Sequence, residues 1–270
     1  MASTYAHFRF GKEVLEVLPA EISEIINKYR SLYDIGVHGP DLFFYYKPLK
    51  KNVTKKVGST MHKEKVRDIL EKWVPYLSDT DKELRDRQLS YLYGFITHFA
   101  LDSCVHGYID VAEKEYNLSH AKIEVSFDYM LLKEDSCDPP ATIVTNHLIA
   151  SEDAAKALAT FYANIGEEKV FQSIKSMKFY LDALTAPKNP KRAFVNLALK
   201  ATGDYKNMAG LLMDHKLDAK CEIINDVLRE RYEKAIPLAK MLMENFRNYL
   251  EKDEPLCERF YRTFSWEDND

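Results

Sequence analysis

YLYGFITHFALDSCVHGYI, residues 91–109, sets His98, Asp102 and His106 four residues apart in a stretch that is otherwise almost wholly apolar. Four-residue spacing stacks side chains on one face of an α-helix. The pattern over about 81–110, with Leu84, Tyr91, Phe95, His98 and Asp102 near one face, predicts the longest helix of the first half of the chain. Imidazole and carboxylate groups among apolar neighbours are costly to bury without a strong partner, and a metal ion is such a partner. A second pair at the same spacing, His120 and Glu124, opens a shorter predicted helix over 120–132, with Ser119 of YNLS as its expected N-cap. Imidazole nitrogen and carboxylate oxygen are both ligands of Zn²⁺. Two His-x-x-x-acid pairs this close together therefore point to a polynuclear zinc site.

Upstream stand His7, Asp41 and His62, which complete a set of eight candidate ligands before residue 125. Each has a plainer explanation. A lone histidine on an apolar helix face is more often a hydrogen-bonded core or surface residue, and a single His-x-x-x-acid pair serves equally as an i,i+4 ion pair. Asp41 follows Gly39-Pro40, which makes it a turn or loop residue first, and His38 competes with it as a ligand from the same loop. The run Phe43, Phe44, Tyr45, Tyr46 reads as core at alternate positions, with Phe43, Phe44 or Tyr45 available to wall a pocket beside Asp41. Cys104 points off the ligand face of its helix, and His147 and His215 lack an acidic helical partner and read as structural.

Helical periodicity extends over most of the chain. Val14 to Tyr29 recurs at three- and four-residue steps with Pro19 as a break, and further helices are expected at about 59–76, 143–163, 167–184, 190–213 and 218–251. No strand series or internal repeat interrupts them. The expectation is an all-α fold, one compact multi-helix domain over 1–270. Its ligand-bearing part, 1–135, is divided by DSCDPPAT from a C-terminal helical part, 142–270, that packs against it.

Composition narrows the function classes. The chain has 270 residues, 46% of them hydrophobic, so it can bury a substantial core. A formal charge of −4 and the lack of a basic tract leave nucleic-acid binding unsupported by charge alone, though not excluded. Four scattered cysteines, Cys104, Cys137, Cys221 and Cys257, read as ordinary thiols of a reducing compartment. The start MASTYAHFRFGKEVLEVL lacks an apolar core behind a basic segment, and no stretch approaches the roughly 18 apolar residues of a transmembrane helix. A cytoplasmic location is expected, and oligomeric state is not legible.

In order along the chain, YAHF, GPDLFFYY, GSTMH, YLYGFITHFALDSCVHGYI and SHAKIE resemble the successive metal-ligand segments of bacterial zinc-dependent phospholipases C, which are related to zinc-dependent single-strand nucleases. The resemblance implies a compact all-α fold and two or three zinc ions. Asp41, His62, His98 and Asp102 would hold one, Asp102 would bridge to a second that also uses His7, and His106, His120 and Glu124 would hold the third. It implies phosphodiester hydrolysis by metal-activated water, with Asp41 as candidate general base and a phosphate ester, including a phospholipid, as substrate. A zinc-dependent nuclease or other soluble phosphoesterase is the enzyme alternative, and a non-catalytic helical protein stabilised by zinc is the alternative of another class. An iron or manganese carboxylate bundle fits less well, because the Glu-x-x-His signature is missing. Two departures stand out. Secreted members use the amino group and carbonyl of an N-terminal Trp as ligands, whereas here removal of Met1 would expose Ala2. The gap from Asp102 to His106 is also shorter than in those enzymes, so the geometry of the third site is expected to differ.

Overall fold

The structure, a computed structural model, describes residues 4–162 and 164–265, and among these it contains helices and no strand. In chain order the α-helices are α1 Thr4–Val17, α2 Ala20–Lys28, α3 Arg30–Gly36, α4 Val53–Met61, α5 Val66–Trp73 and α6 Lys82–Tyr116. They continue with α7 His120–Glu134, α8 Glu152–Ala159, α9 Glu167–Leu184, α10 Lys191–Ala201, α11 Tyr205–Met208 and α12 Ala219–Lys252. Among the described residues no helix is long and apolar enough to cross a membrane.

Everything is arranged around α6. From Gln88 to Ser103 every residue of this helix is buried, which is what a helix apolar on all sides requires. Its start is fixed by Asp81, whose side chain accepts from the Leu84 amide at 3.0 Å, and its end by Asn117 in the left-handed conformation. Helices α3 and α12 form its largest packing surfaces, with α1, α2 and α7 alongside. At the α3–α6 crossing the backbones touch. A Cβ at Gly36 would lie 2.3 Å from the Tyr91 carbonyl oxygen, and one at Gly94 would lie 2.4 Å from the Tyr33 carbonyl oxygen, so neither position has room for a side chain.

One apolar core runs from Ala6 to Phe264, and a small separate cluster of Ala186, Val195, Leu199 and Leu212 sits around α10. Phe260 and Phe264, from the C-terminal end, pack on Phe99 of α6 at ring-centroid distances of 6.0 and 5.5 Å.

Several predicted helices are shorter or divided, each for a local reason. The Val14–Tyr29 pattern splits because Pro19 caps α2, while α1 starts far earlier and takes His7 into a helix. The expected helix over 59–76 is two: His62 caps α4, Lys65 is extended, and the Val66 amide donates to the Arg262 carbonyl at 3.1 Å instead of continuing a helix. Over 143–163 only α8 forms, because Ser151 caps it by accepting from the Ala154 amide. The 190–213 pattern is interrupted at Gly203, where φ is +79°. Asp41, expected on a loop, lies in a 3-10 helix, Gly39–Tyr45.

Candidate metal centre

The eight candidate ligands come from five places and converge. Helix α1 brings His7, and it is held by its own first turn: the Tyr5 and Ala6 amides, orphaned at a helix start, donate to Asp128 of α7 at 3.1 and 2.7 Å. The 3-10 helix brings Asp41. That turn begins at Gly39, whose φ of +47° favours glycine and where a Cβ would meet the His98 ring at 2.4 Å. His62 stands at the end of α4, with its Nδ1 2.8 Å from the Gly58 carbonyl oxygen. Helix α6 supplies His98, Asp102 and His106 on successive turns of one face, and α7 supplies His120 and Glu124.

Three adjoining groups result, each with ligand atoms close enough for one ion: Asp41, His62 and His98; His7, His98 and Asp102; and His106, His120 and Glu124. Asp102 lies at their junction, with Oδ1 3.1 Å from His7 Nε2 and 3.4 Å from His106 Nε2, and Oδ2 3.0 Å from His98 Nε2. His62 Nε2 is 2.9 Å from Asp41 Oδ1, and His120 Nε2 is 3.2 Å from Glu124 Oε1. His106 Nε2 is also 3.6 Å from Glu124 Oε1 within the third group, and its 3.4 Å approach to Asp102 joins that group to the others. His98 and Asp102 are fully buried, whereas His120 is 27% exposed and marks the open side.

The chemistry of these contacts asks for cations. His98 directs Nδ1 at the Val37 carbonyl oxygen, 3.2 Å away, which makes Nδ1 the protonated nitrogen and turns the Nε2 lone pair toward the Asp102 carboxylate. His62 repeats the arrangement through Gly58, with Nε2 facing Asp41. Two acceptors at about 3 Å repel unless a cation is shared between them. Neither oxygen of Asp102 nor Nε2 of His98 has an aligned hydrogen-bond partner, although all are buried. The donor set of imidazole and carboxylate, with its second nitrogens held by carbonyl oxygens, fits zinc.

Titration reflects the same crowding. Burial alone would raise Asp102, but His106, His98 and His7 outweigh it and hold the carboxyl well below its usual range. Burial likewise opposes the charge on Asp41, and the hydrogen bond and charge of His62 more than reverse this. His120 is disfavoured as a cation by burial, yet Glu124 beside it pushes it up to about 9. His106 goes down, because burial there exceeds the pull of Asp102 and Glu124.

Other residues singled out in the sequence go elsewhere. His38, the competitor of Asp41, has its Nε2 2.7 Å from Nε2 of His147, whose ring stacks on Phe8 at 4.0 Å; it joins none of the three groups. Phe43 does not wall a pocket beside Asp41: it is fully buried and packs edge-on against Tyr162. Phe44 is half-buried with its ring 5.4 Å from that of His62, and Tyr45 lines an apolar groove leading away from the centre. Cys104 faces Arg259, whose Nη2 is 3.5 Å from its sulfur. Ala2 lies outside the described residues. Sequence reading missed Asp128, although it falls one helical turn beyond Glu124. It also missed Asp110 and Glu113, whose carboxylates lie 3.8 and 3.4 Å from His120 Nδ1 and form a further three-residue group with it.

Comparison with protein families matches residues 6–183 to the family described as zinc dependent phospholipase C. That span contains all eight convergent ligands. Comparisons with curated proteins and with solved structures give no match. With two thirds of the chain matched and the all-α architecture in place, the chain belongs to the zinc-dependent phospholipase C family.

Proposed function

We propose that this protein is a zinc-dependent phosphodiester hydrolase that acts on phospholipids, with His7, Asp41, His62, His98, Asp102, His106, His120 and Glu124 as its metal ligands. The observation that carries the reading is the junction at Asp102, where one buried carboxylate without an aligned donor faces three imidazoles from two helices. The three groups correspond to three ions, the upper end of the two or three implied by the sequence. Three carboxylates against three divalent ions leave a surplus of about three positive charges, which suits a phosphate ester and disfavours a cationic substrate. When bound, the ions supply a water of lowered pKa and positive charge for the phosphoryl oxygens.

The chain's own groups do the rest. Asp41 is the candidate general base, because the 3-10 helix holds its carboxylate beside His62 in the first of the three groups, within reach of a water there. Gly58 and Val37 carbonyls keep His62 and His98 in one tautomer, so both offer Nε2. Burial of His7, His98 and Asp102 excludes solvent from behind, and the exposed edge of His120 leaves approach from one side. Phe44, against His62, is the aromatic placed to contact the substrate near the centre.

The test is metal content by mass spectrometry on protein purified without chelator, with hydrolysis of phosphatidylcholine and of single-stranded DNA measured on the same sample. Two or three zincs per chain and chelator-sensitive lipid hydrolysis are expected. Faster cleavage of DNA than of lipid would move the protein to the nuclease reading. Zinc without turnover would leave the ions a structural role, and no metal after reconstitution would remove the centre altogether.

A further inference from the structure

On one side of the molecule, an apolar groove of about 340 Å³ is lined by Tyr45, Pro48, Phe179, Leu184, Phe194 and Leu211. Three of its lining side chains are large, apolar and turned to solvent, Leu49 at 72% exposed, Phe179 at 67% and Phe194 at 71%, and Leu197 on the adjoining part of α10 is 66% exposed. Single exposed apolar residues are ordinary, but three around one groove, with a fourth on the adjoining helix, form a patch that marks an interaction surface. Phe194 and Leu197 are three apart on α10 and so share a face.

Charge gathers in the same place. The two stretches that form the groove, 46–56 and 175–206, contain twelve Lys and Arg against two Asp and Glu, in a chain whose overall charge is −4. The first stretch alone, KPLKKNVTKK at 47–56, holds five lysines and no acid, which the sequence reading overlooked, and the fold sets it beside the second. Lys47, Lys50 and Lys51 flank the Pro48–Leu49 tip, and Lys188 and Lys200 lie at either end of α10, all exposed. Apolar side chains collared by lysines match a lipid bilayer with anionic headgroups, where the hydrocarbon takes the former and the surface potential attracts the latter. A second copy of the chain is a poor fit, since face-to-face pairing would set lysines against lysines.

We propose that this face docks on an anionic phospholipid bilayer, with Leu49, Phe179, Phe194 and Leu197 inserted and the lysine collar at headgroup level. The 3-10 helix that ends in Tyr45 on the groove carries Asp41 four residues earlier, about 8 Å away at the rise of a 3-10 helix. Docking would therefore set the 3-10 helix that carries Asp41 close to the membrane, with the open side of the centre at His120. The proposal rests on the surface alone and holds whether or not the centre turns over lipid.

The experiment is vesicle co-sedimentation of the full chain, scored as bound protein rather than as hydrolysis, on vesicles of phosphatidylcholine alone and of equimolar phosphatidylcholine and phosphatidylglycerol. Binding is expected on the mixed vesicles and is expected to weaken with added salt. Phe194→Ser with Leu197→Ser should lower binding about tenfold or more, and Lys50→Glu with Lys51→Glu should do so on anionic vesicles only. Both double variants should keep the melting temperature, the zinc content and the hydrolysis of a short water-soluble phosphodiester. Equal binding of the Phe194/Leu197 variant and the parent, or no binding by the parent, would overturn the proposal. So would a dimer in light scattering that the same substitutions dissolve, which would assign the face to a second copy.

Discussion

At the scale of single residues, the centre works because some side chains fix the state of others. Val37 and Gly58 carbonyls choose the nitrogen that His98 and His62 present, and Asp128 holds the helix that presents His7. Asp41 differs from these as the candidate base. Asp41→Asn should keep at least part of the zinc and lower hydrolysis by about 100-fold or more; turnover equal to the parent's would remove Asp41 from the chemistry. Away from the centre, His147 provides a separate titration. Burial first, with Lys178 and Arg30 adding to it, pushes its pKa down to about 3. The unfolded chain takes up this proton near pH 6.5 and the folded chain does not. Stability from a neutral His147 is thus complete above about pH 6.5 and falls, by on the order of 1 kcal/mol per pH unit, between about 6.5 and 3. Denaturant midpoints of the parent and His147→Phe, with zinc present, should converge as pH drops from 7.5 to 5; a constant difference would contradict the assignment.

At the scale of elements, helices whose apolar periodicity runs unbroken were legible, and helices ended by tertiary contacts were not. Ser119 caps α7 as its position indicates, and α9 spans the expected residues. The break after His62 depends on a hydrogen bond to Arg262, two hundred residues away, and no local pattern announces it. Likewise His98, Asp102, His120 and Glu124 are visible as pairs, but Phe43 and Phe44 are adjacent aromatics whose burial is decided by Tyr162 and His62. Sequence alone could not tell which of them faces the core. The α3–α6 crossing was equally hidden, since Gly36 and Gly94 announce no partner. Gly94→Ala should destabilise the protein by about 1–3 kcal/mol through overpacking, read from its urea midpoint. An unchanged midpoint would mean that the two helices can part without cost.

At the scale of the whole molecule, the metal centre and the core are the same construction. Candidate ligands from residue 7 to residue 124 meet within an apolar cluster that reaches Phe264. The expectation of one domain over 1–270 is therefore a proposal with a direct readout: far-UV dichroism and tryptophan fluorescence should lose signal at one common midpoint. Chelation should lower that midpoint by roughly 5–10 °C, the scale expected for a ligand held at about a hundred times its dissociation constant in a chain of this size. Two separated transitions would divide the chain, and a midpoint indifferent to chelator would uncouple the ions from the fold.

The equal steps from His98 to Asp102 to His106 set three candidate ligands on one line of α6, about 6 Å apart along its axis at each four-residue step. The number of residues between these side chains, and not their identity alone, decides whether they share a face. An insertion of one residue between two steps would turn every later ligand by about 100° around the axis and break the centre without altering a single ligand.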